Sequence, residues 1–234
     1  DDTDTLDYSG LGSAATFVVG ADSIAVSQGS GSNVSAENFE YVTGSDNGDT
    51  FTLTGDTSTN ALETITAGTG NDTFNIGASA TVDAVLIGGT GNDVFIVGEN
   101  ASISTTLDGG DGTDVIGIDD TTATIDAVNF EAAQLRGTSS DDTLLLNTTT
   151  AANIGGGLSI TSVDGRGGDD TLNMTVNVSS VTVANVETIT GTAGGDSIVL
   201  ADGGQTIQAT GVETITGGSG ADTVTLGANG TYVI

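Results

Sequence analysis

"GGTGNDVFIV", residues 88–97, packs three glycines and an Asp into six residues and follows them with four apolar ones. Nearly the same string returns as "GGDGTDVIGI" at 109–118 and "GGSGADTVTL" at 217–226. Internal repetition of this kind is sought before fold. Aligning the chain on an Asp that leads a short strand gives the anchors Asp4, Asp22, Asp49, Asp72, Asp93, Asp114, Asp142, Asp170, Asp196 and Asp222, spaced 18–28 residues apart. Two residues after each anchor stand Leu6, Ile24, Phe51, Phe74, Phe95, Ile116, Leu144, Leu172, Ile198 and Val224. Four after stand Tyr8, Val26, Leu53, Ile76, Val97, Ile118, Leu146, Met174, Leu200 and Leu226. All are apolar, while the residues between them include many Thr, Ser and Asn. Period two predicts a strand with one face buried.

A second alternating stretch precedes many of the turns: "NFEYVTG", "ALETITAG", "NVETITG" and "GVETITG". No segment has a helical period. A repeat with two or three short strands cannot bury its inner face alone, but stacked coils can, each strand pairing with its counterpart roughly 4.8 Å away. The expected fold is all-β: a right-handed parallel β-solenoid of about ten coils, 21–28 residues per coil, running as one segment over 1–234 and belonging to a longer chain. An antiparallel sandwich is the competing fold, but it gives no reason for the Asp, +2, +4 register to recur.

The chain carries 32 acidic residues against two basic ones, Arg136 and Arg166, for a net charge of −30. Such a charge repels itself, and cations are the natural neutralising partner. Nucleic acid is excluded as a partner because there is almost nothing basic to meet phosphate. No window approaches the roughly 18–20 apolar residues of a membrane-spanning helix, so direct membrane insertion is not expected. Acidity combined with glycine also suits disorder or a halophilic surface. Against both, 36% of the residues are apolar and regularly placed, and the acids recur at one repeat position.

Glycine in the turns supplies φ > 0, which leaves the fixed Asp unexplained. Stacking sets successive Asp side chains about 5 Å apart, and bare carboxylates at that distance repel. A hard divalent cation between turns reverses the sign, since calcium takes six to eight oxygens from carboxylates and carbonyls. An Asp that merely closes a glycine turn through its own hydrogen bond is the alternative.

"GGTGNDVFI", "GGDGTDVIG" and "GGSGADTVT" match G-G-x-G-x-D-x-U-x and so resemble the repeats-in-toxin, or haemolysin-type calcium-binding, proteins. "AGTGNDTFN" departs only at Ala67. "GSDNGDTFT" and "GTAGGDSIV" keep two glycines before the Asp, "GRGGDDTLN" has Arg166 second, and "GTSSDDTLL" keeps only Gly137. Family rolls repeat about every nine residues, with ions at both edges of the coil. Here the motif comes once per coil, so one column of several Ca2+ ions along one edge is expected. The long coils are similar to those of bacterial surface-layer proteins and giant adhesins.

The resemblance implies calcium ligation by Asp72, Asp93, Asp114 and Asp222, with carbonyls of Gly68, Gly70, Gly88, Gly89, Gly91, Gly109, Gly110, Gly112, Gly217, Gly218 and Gly220. Asp49, Asp170 and Asp196 are further ligands, and the run 72, 93, 114 is the expected column. Arg136 and Arg166, in the least calcium-like turns, either replace a missing ion or are solvated. Without His, Cys or Lys, the commonest general base, the thiol nucleophile and the Schiff-base amine are absent, and no enzymatic activity is expected. The resemblance implies export by type I secretion, and the function expected is that of a secreted bacterial cell-surface or matrix segment that folds on calcium. It then self-associates into a lattice or filament, or joins other surface components. An accessory calcium-binding module of an exported toxin or enzyme is the first rival, and a carbohydrate-active β-helix the second.

Overall fold

The computed structural model describes residues 3–21, 23–28, 34–57, 62–119, 126–130, 132–137, 141–146, 160–175 and 177–227; the anchor Asp22 lies outside them. The described residues form strands and turns and divide into two compact units, one up to Ala132 and one from Ala133 onward. In each, parallel strands stack in the manner of a β-solenoid, with about seven turns in all.

The first unit holds β1 (Thr5–Asp7), β2 (Thr16–Val19), β3 (Ile24–Ser27), β4 (Val34–Ala36), β5 (Tyr41–Thr43), β6 (Thr50–Leu53), β7 (Thr64–Thr69), β8 (Thr73–Ile76), β9 (Thr81–Val82), β10 (Val85–Thr90), β11 (Val94–Val97), β12 (Ser102–Ile103), β13 (Thr106–Asp111), β14 (Val115–Ile118) and β15 (Asp126–Val128). One parallel sheet runs β1-β5-β7-β10-β13-β15, a second runs β2-β6-β8-β11-β14, and β9 pairs with β12. A coil therefore rises through one sheet, crosses a glycine turn into the second, and returns past the short third strand. Register is set by the apolar period: Phe51 lies opposite Phe74, Phe74 opposite Phe95, and Phe95 opposite Ile116. A one-residue slip would turn every one of these side chains to solvent.

The interior carries a phenylalanine stack. Phe17, Phe51, Phe74 and Phe95 are each fully buried, with ring centroids 4.4, 4.9 and 4.4 Å apart and planes within 21° of parallel. Tyr8 and Phe130 close its two ends edge-on. Phe74→Ala is expected to destabilise this unit by about 3–5 kcal/mol, because rings on both sides lose their partner; chemical denaturation measures it.

The second unit holds β16 (Ala132–Arg136), β17 (Thr143–Leu146), β18 (Ile160–Asp164), β19 (Thr171–Met174), β20 (Val181–Ala184), β21 (Thr188–Thr190), β22 (Ser197–Leu200), β23 (Thr206–Thr210), β24 (Thr214–Thr216) and β25 (Thr223–Leu226). Successive strands alternate between two parallel sheets, β16-β18-β20-β22-β24 and β17-β19-β21-β23-β25. Here the coil shortens: Leu144 faces Leu172, 28 residues on, whereas Leu172 faces Ile189 and Ile198 faces Ile215, each only 17 residues on.

The ten expected coils thus do not map one to one onto the roughly seven turns observed, for three local reasons. Leu6 pairs with Val42 in the sheet that precedes the turns, so Asp4 does not head a coil in the Asp49–Asp114 register. The strand after position 22, β3, is antiparallel to β2 and β4. In the second unit the 26-residue spacings from Asp170 to Asp196 to Asp222 correspond to a coil and a half, which carries the motif from one sheet to the other.

Candidate metal centre

In the first unit, Asp49, Asp72, Asp93 and Asp114 each immediately precede a strand of the second sheet, and each is at most 1% exposed. Their side chains fold under the turn and link coil to coil. Asp49 N–H donates to Asp72 Oδ1 (2.6 Å), Asp72 N–H to Asp93 Oδ1 (2.8 Å) and Asp93 N–H to Asp114 Oδ1 (2.7 Å). At the first coil Ala15 holds the anchor position, and its N–H donates to Asp49 Oδ1 (2.6 Å). The anchor's place just before the strand explains this: the N–H that would begin the ladder is taken by a carboxylate of the next coil. Outside this column Asn92 N–H donates to Asn71 Oδ1, and Thr113 N–H to Asn92 Oδ1, both at 2.9 Å.

Each of these carboxylates spends Oδ1 on the ladder. For Asp72 and Asp93, Oδ2 is buried with no hydrogen-bond partner. An orphaned buried carboxylate oxygen is costly unless it gains a proton or a cation. Burial above all pushes Asp72 up to about 7; the Asp49 N–H that it accepts opposes this, and Asp93 and Asp49 add to the rise. Burial also raises Asp93, with Asp114 adding to the effect. A carboxyl whose folded value lies above its unfolded one keeps its proton longer in the folded state. Without metal, stability therefore falls as pH rises from about 4 to about 7 and levels off above that. In metal-free buffer the melting temperature is expected to be higher at pH 5 than at pH 8.

The glycines stack in register beside the carboxylates. Gly68, Gly89 and Gly110 take φ of 120, 113 and 99°, and Gly70, Gly91 and Gly112 take 115, 139 and 155°. A Cβ built on Gly91 falls on the Gly70 carbonyl oxygen, and one on Gly112 falls on the Gly91 oxygen. Gly91→Ala therefore meets backbone that cannot yield, in addition to an unfavourable φ, and is expected to cost at least about 2 kcal/mol in thermal or urea unfolding. At Gly88 the space a Cβ would take is flanked by Asp93 Oδ2 and by the Gly109 carbonyl oxygen of the next coil. Gly109 stands likewise between Asp114 Oδ2 and the Asn129 oxygen, and Gly44 between Asp49 Oδ2 and the Ala67 oxygen. Each coil therefore presents a carboxylate oxygen and a next-coil carbonyl to one small gap beside a residue without a side chain. Ala67 is the exception, filling its place with a buried methyl.

These atoms fit a hard cation by donor type: all are oxygens, that of Asp93 is an anionic oxygen without a hydrogen bond, and the two arginines of the chain both belong to the second unit. Among the described residues no three His, Cys, Asp or Glu side chains converge, so an ion there would take most of its ligands from the backbone.

The second unit distributes its expected ligands differently. Asp170 N–H donates to Glu187 Oε2 (2.7 Å) and Asp142 N–H to Asp170 Oδ1 (2.8 Å), so Asp170 stacks between Asp142 and Glu187. Asp196 leads β22, in the other sheet, with Val178 N–H on its Oδ1 (2.7 Å) and its own N–H on Glu213 Oε2 (2.7 Å). Asp222 accepts from Gln205 N–H (2.9 Å) and is part-exposed, with Gly217 beside it and Gly218 and Gly220 packed on the Ala201–Gly204 loop. The structure thus brings Asp72, Asp93 and Asp114 into one run with Asp49. It does not place Asp170, Asp196 and Asp222 in consecutive turns of one edge. Asp170 Oδ2 is, however, buried without a hydrogen bond, beside Gly165 and the Asn185 oxygen, and burial raises its pKa. Arg166 is exposed and sits at φ 71°, in the turn place that Gly89 fills elsewhere.

Sequence reasoning missed Glu187 and Glu213, which hold anchor positions that Asp holds in other coils. Their signal was present: "VETIT" at 186–190 and at 212–216 puts an acid directly before Thr, as "DT" does at 170–171 and 222–223.

Fold and site together define a class: a parallel β-solenoid whose glycine turns hold buried, stacked carboxylates. Compared with protein-family models, curated proteins and solved structures, the chain matches none.

Proposed function

We propose that this chain is a calcium-stabilised structural segment of a secreted bacterial protein, a repeats-in-toxin-like β-solenoid that completes its fold when Ca2+ enters the turn column of the first unit. The observation that carries this reading is the pair of buried Oδ2 atoms of Asp72 and Asp93, in a chain of net charge −30 that offers them no hydrogen bond. Asp72, Asp93 and Asp114 would hold the ions, with the carbonyl of Gly109 and those of the neighbouring turn glycines. Calcium supplies positive charge to the stacked carboxylates; the chain's own atoms fix the register through the Asp ladder. Because the site exists only when coils stack, binding free energy is folding free energy. Low calcium inside the cell would leave the chain loose for export, and higher calcium outside would close it.

The test is a calcium titration of the 234-residue chain followed by circular dichroism, then negative-stain imaging. A calcium-dependent gain of β signal with ordered lattices or filaments supports a surface or matrix role. The same gain without assembly supports the accessory-module role. A spectrum indifferent to calcium and chelator overturns both.

A further inference from the structure

The turns of Asp49 and Asp196 differ from those of Asp72, Asp93 and Asp114, and the difference lies four residues before the anchor. In the turns of Asp72, Asp93 and Asp114 that residue is Gly68, Gly89 or Gly110 at positive φ, and the preceding strands β7, β10 and β13 run six residues, well into the turn. In the turns of Asp49 and Asp196 it is Ser45 or Thr192, neither at positive φ, and the preceding strands β5 and β21 stop after three residues.

That change redirects donors onto the carboxylate. Ser45 donates its N–H to Asp49 Oδ2 (2.5 Å) and its hydroxyl to Asp49 Oδ1 (2.9 Å), beside the Ala15 N–H already there. Thr192 donates its N–H to Asp196 Oδ2 (2.8 Å) while Val178 N–H serves Oδ1. The Thr192 hydroxyl reaches Asp196 Oδ2 (2.8 Å) and Asn177 Oδ1 (2.9 Å), its one proton serving either. Both oxygens of each carboxylate are therefore satisfied from within the protein, whereas Asp72 and Asp93 keep a buried Oδ2 with no donor. A carboxylate that accepts several hydrogen bonds is stabilised as the anion without a counterion.

We propose that Ser45 and Thr192 are built-in substitutes for the metal: their turns are closed by a hydroxyl and a redirected N–H and take no ion, and binding is confined to turns with glycine four before the Asp. This rests on the calcium reading above and sharpens it, because the identity of one residue decides which turns are loaded. It also separates Asp49 and Asp196 from Asp93, although all three are buried alike.

Thr192 offers a direct test. Its turn reads "GTAGGD", and Thr192→Gly alone restores the full G-G-x-G-x-D pattern. Ions bound per chain are counted by equilibrium dialysis with radiocalcium on wild type and variant. The expected result is one more ion per chain in Thr192→Gly. An unchanged count, with wild type still binding calcium, overturns the substitution proposal and leaves the calcium reading standing; a wild type that binds none overturns the calcium reading itself. Should the glycine variant fold poorly, Thr192→Val decides. It keeps the N–H and the size but loses the hydroxyl, so the ion count should stay at the wild-type value, with the same fall in melting temperature in calcium and in chelator. A count lower by one would make the hydroxyl a ligand and overturn the proposal.

Discussion

Stripping calcium from the chain with excess chelator is expected to lower its melting temperature by about 20–30 °C, or to abolish the transition. The magnitude follows from linkage. A site present only in the folded state adds about 2.7 kcal/mol when free ligand stands at 100 times its dissociation constant. Three loaded turns, at Asp72, Asp93 and Asp114, would add about 8 kcal/mol, which rivals the whole 5–15 kcal/mol of a typical domain. At roughly 3 °C per kcal/mol for a unit of this size, the shift is far outside error. Differential scanning calorimetry in calcium and in chelator measures it. Magnesium should replace little of the effect, since it prefers a tight octahedron and keeps its waters. An unchanged melting temperature would mean that the buried Oδ2 atoms of Asp72 and Asp93 are held by protons.

Asp93→Asn should change sign with calcium. Asp93 stands mid-column, accepting the Asp72 N–H at Oδ1 and leaving Oδ2 buried without a hydrogen bond. An amide keeps the Oδ1 acceptor and removes the charge. In saturating calcium the variant loses an anionic ligand, with an expected cost of about 2–4 kcal/mol. In chelator at pH 8 it removes a carboxylate whose pKa burial has raised, so stability is expected to rise. Urea unfolding in the two buffers gives both numbers. An Asp that only closes a glycine turn would lose stability in both. Asp49→Asn provides the contrast: Ser45 N–H already donates to Asp49 Oδ2, so an amide NH2 there opposes a donor whatever the calcium level.

The sequence disclosed the fold wherever two signals coincided. From Asp49 to Ile118 the Asp, +2, +4 register and the Gly-rich turns recur every 21–23 residues, and there the coils and the buried Phe51–Phe74–Phe95 stack stand as the period implies. At both ends the same register misled, because a period-two pattern fixes which face is buried but not which sheet receives it. Leu6 and Tyr8 satisfy the pattern as well as Phe51 and Leu53 do, yet Leu6 belongs to the other sheet. In the second unit the 26-residue interval looks like one long coil, and only pairing such as Ile198 with Ile215 reveals that it spans one and a half short coils. The carboxylate column was legible for Asp72, Asp93 and Asp114. What one sequence did not disclose was the direction of each turn's N–H groups, which depends on φ four residues before the anchor. Gly68 and Ser45 occupy the same turn place, yet only the serine turns a donor onto its Asp.

The central claim is that cations, and not protons or hydrogen bonds alone, balance the stacked carboxylates of the first unit. A crystal structure grown in calcium, with anomalous difference density collected at long wavelength, tests it most directly. The account predicts anomalous peaks beside Asp72, Asp93 and Asp114 with oxygen ligands at roughly 2.3–2.6 Å, and no peak beside Ser45 and Asp49. A well-ordered stack of coils with no peak along that column, its carboxylates contacting only backbone N–H groups and water, would contradict it.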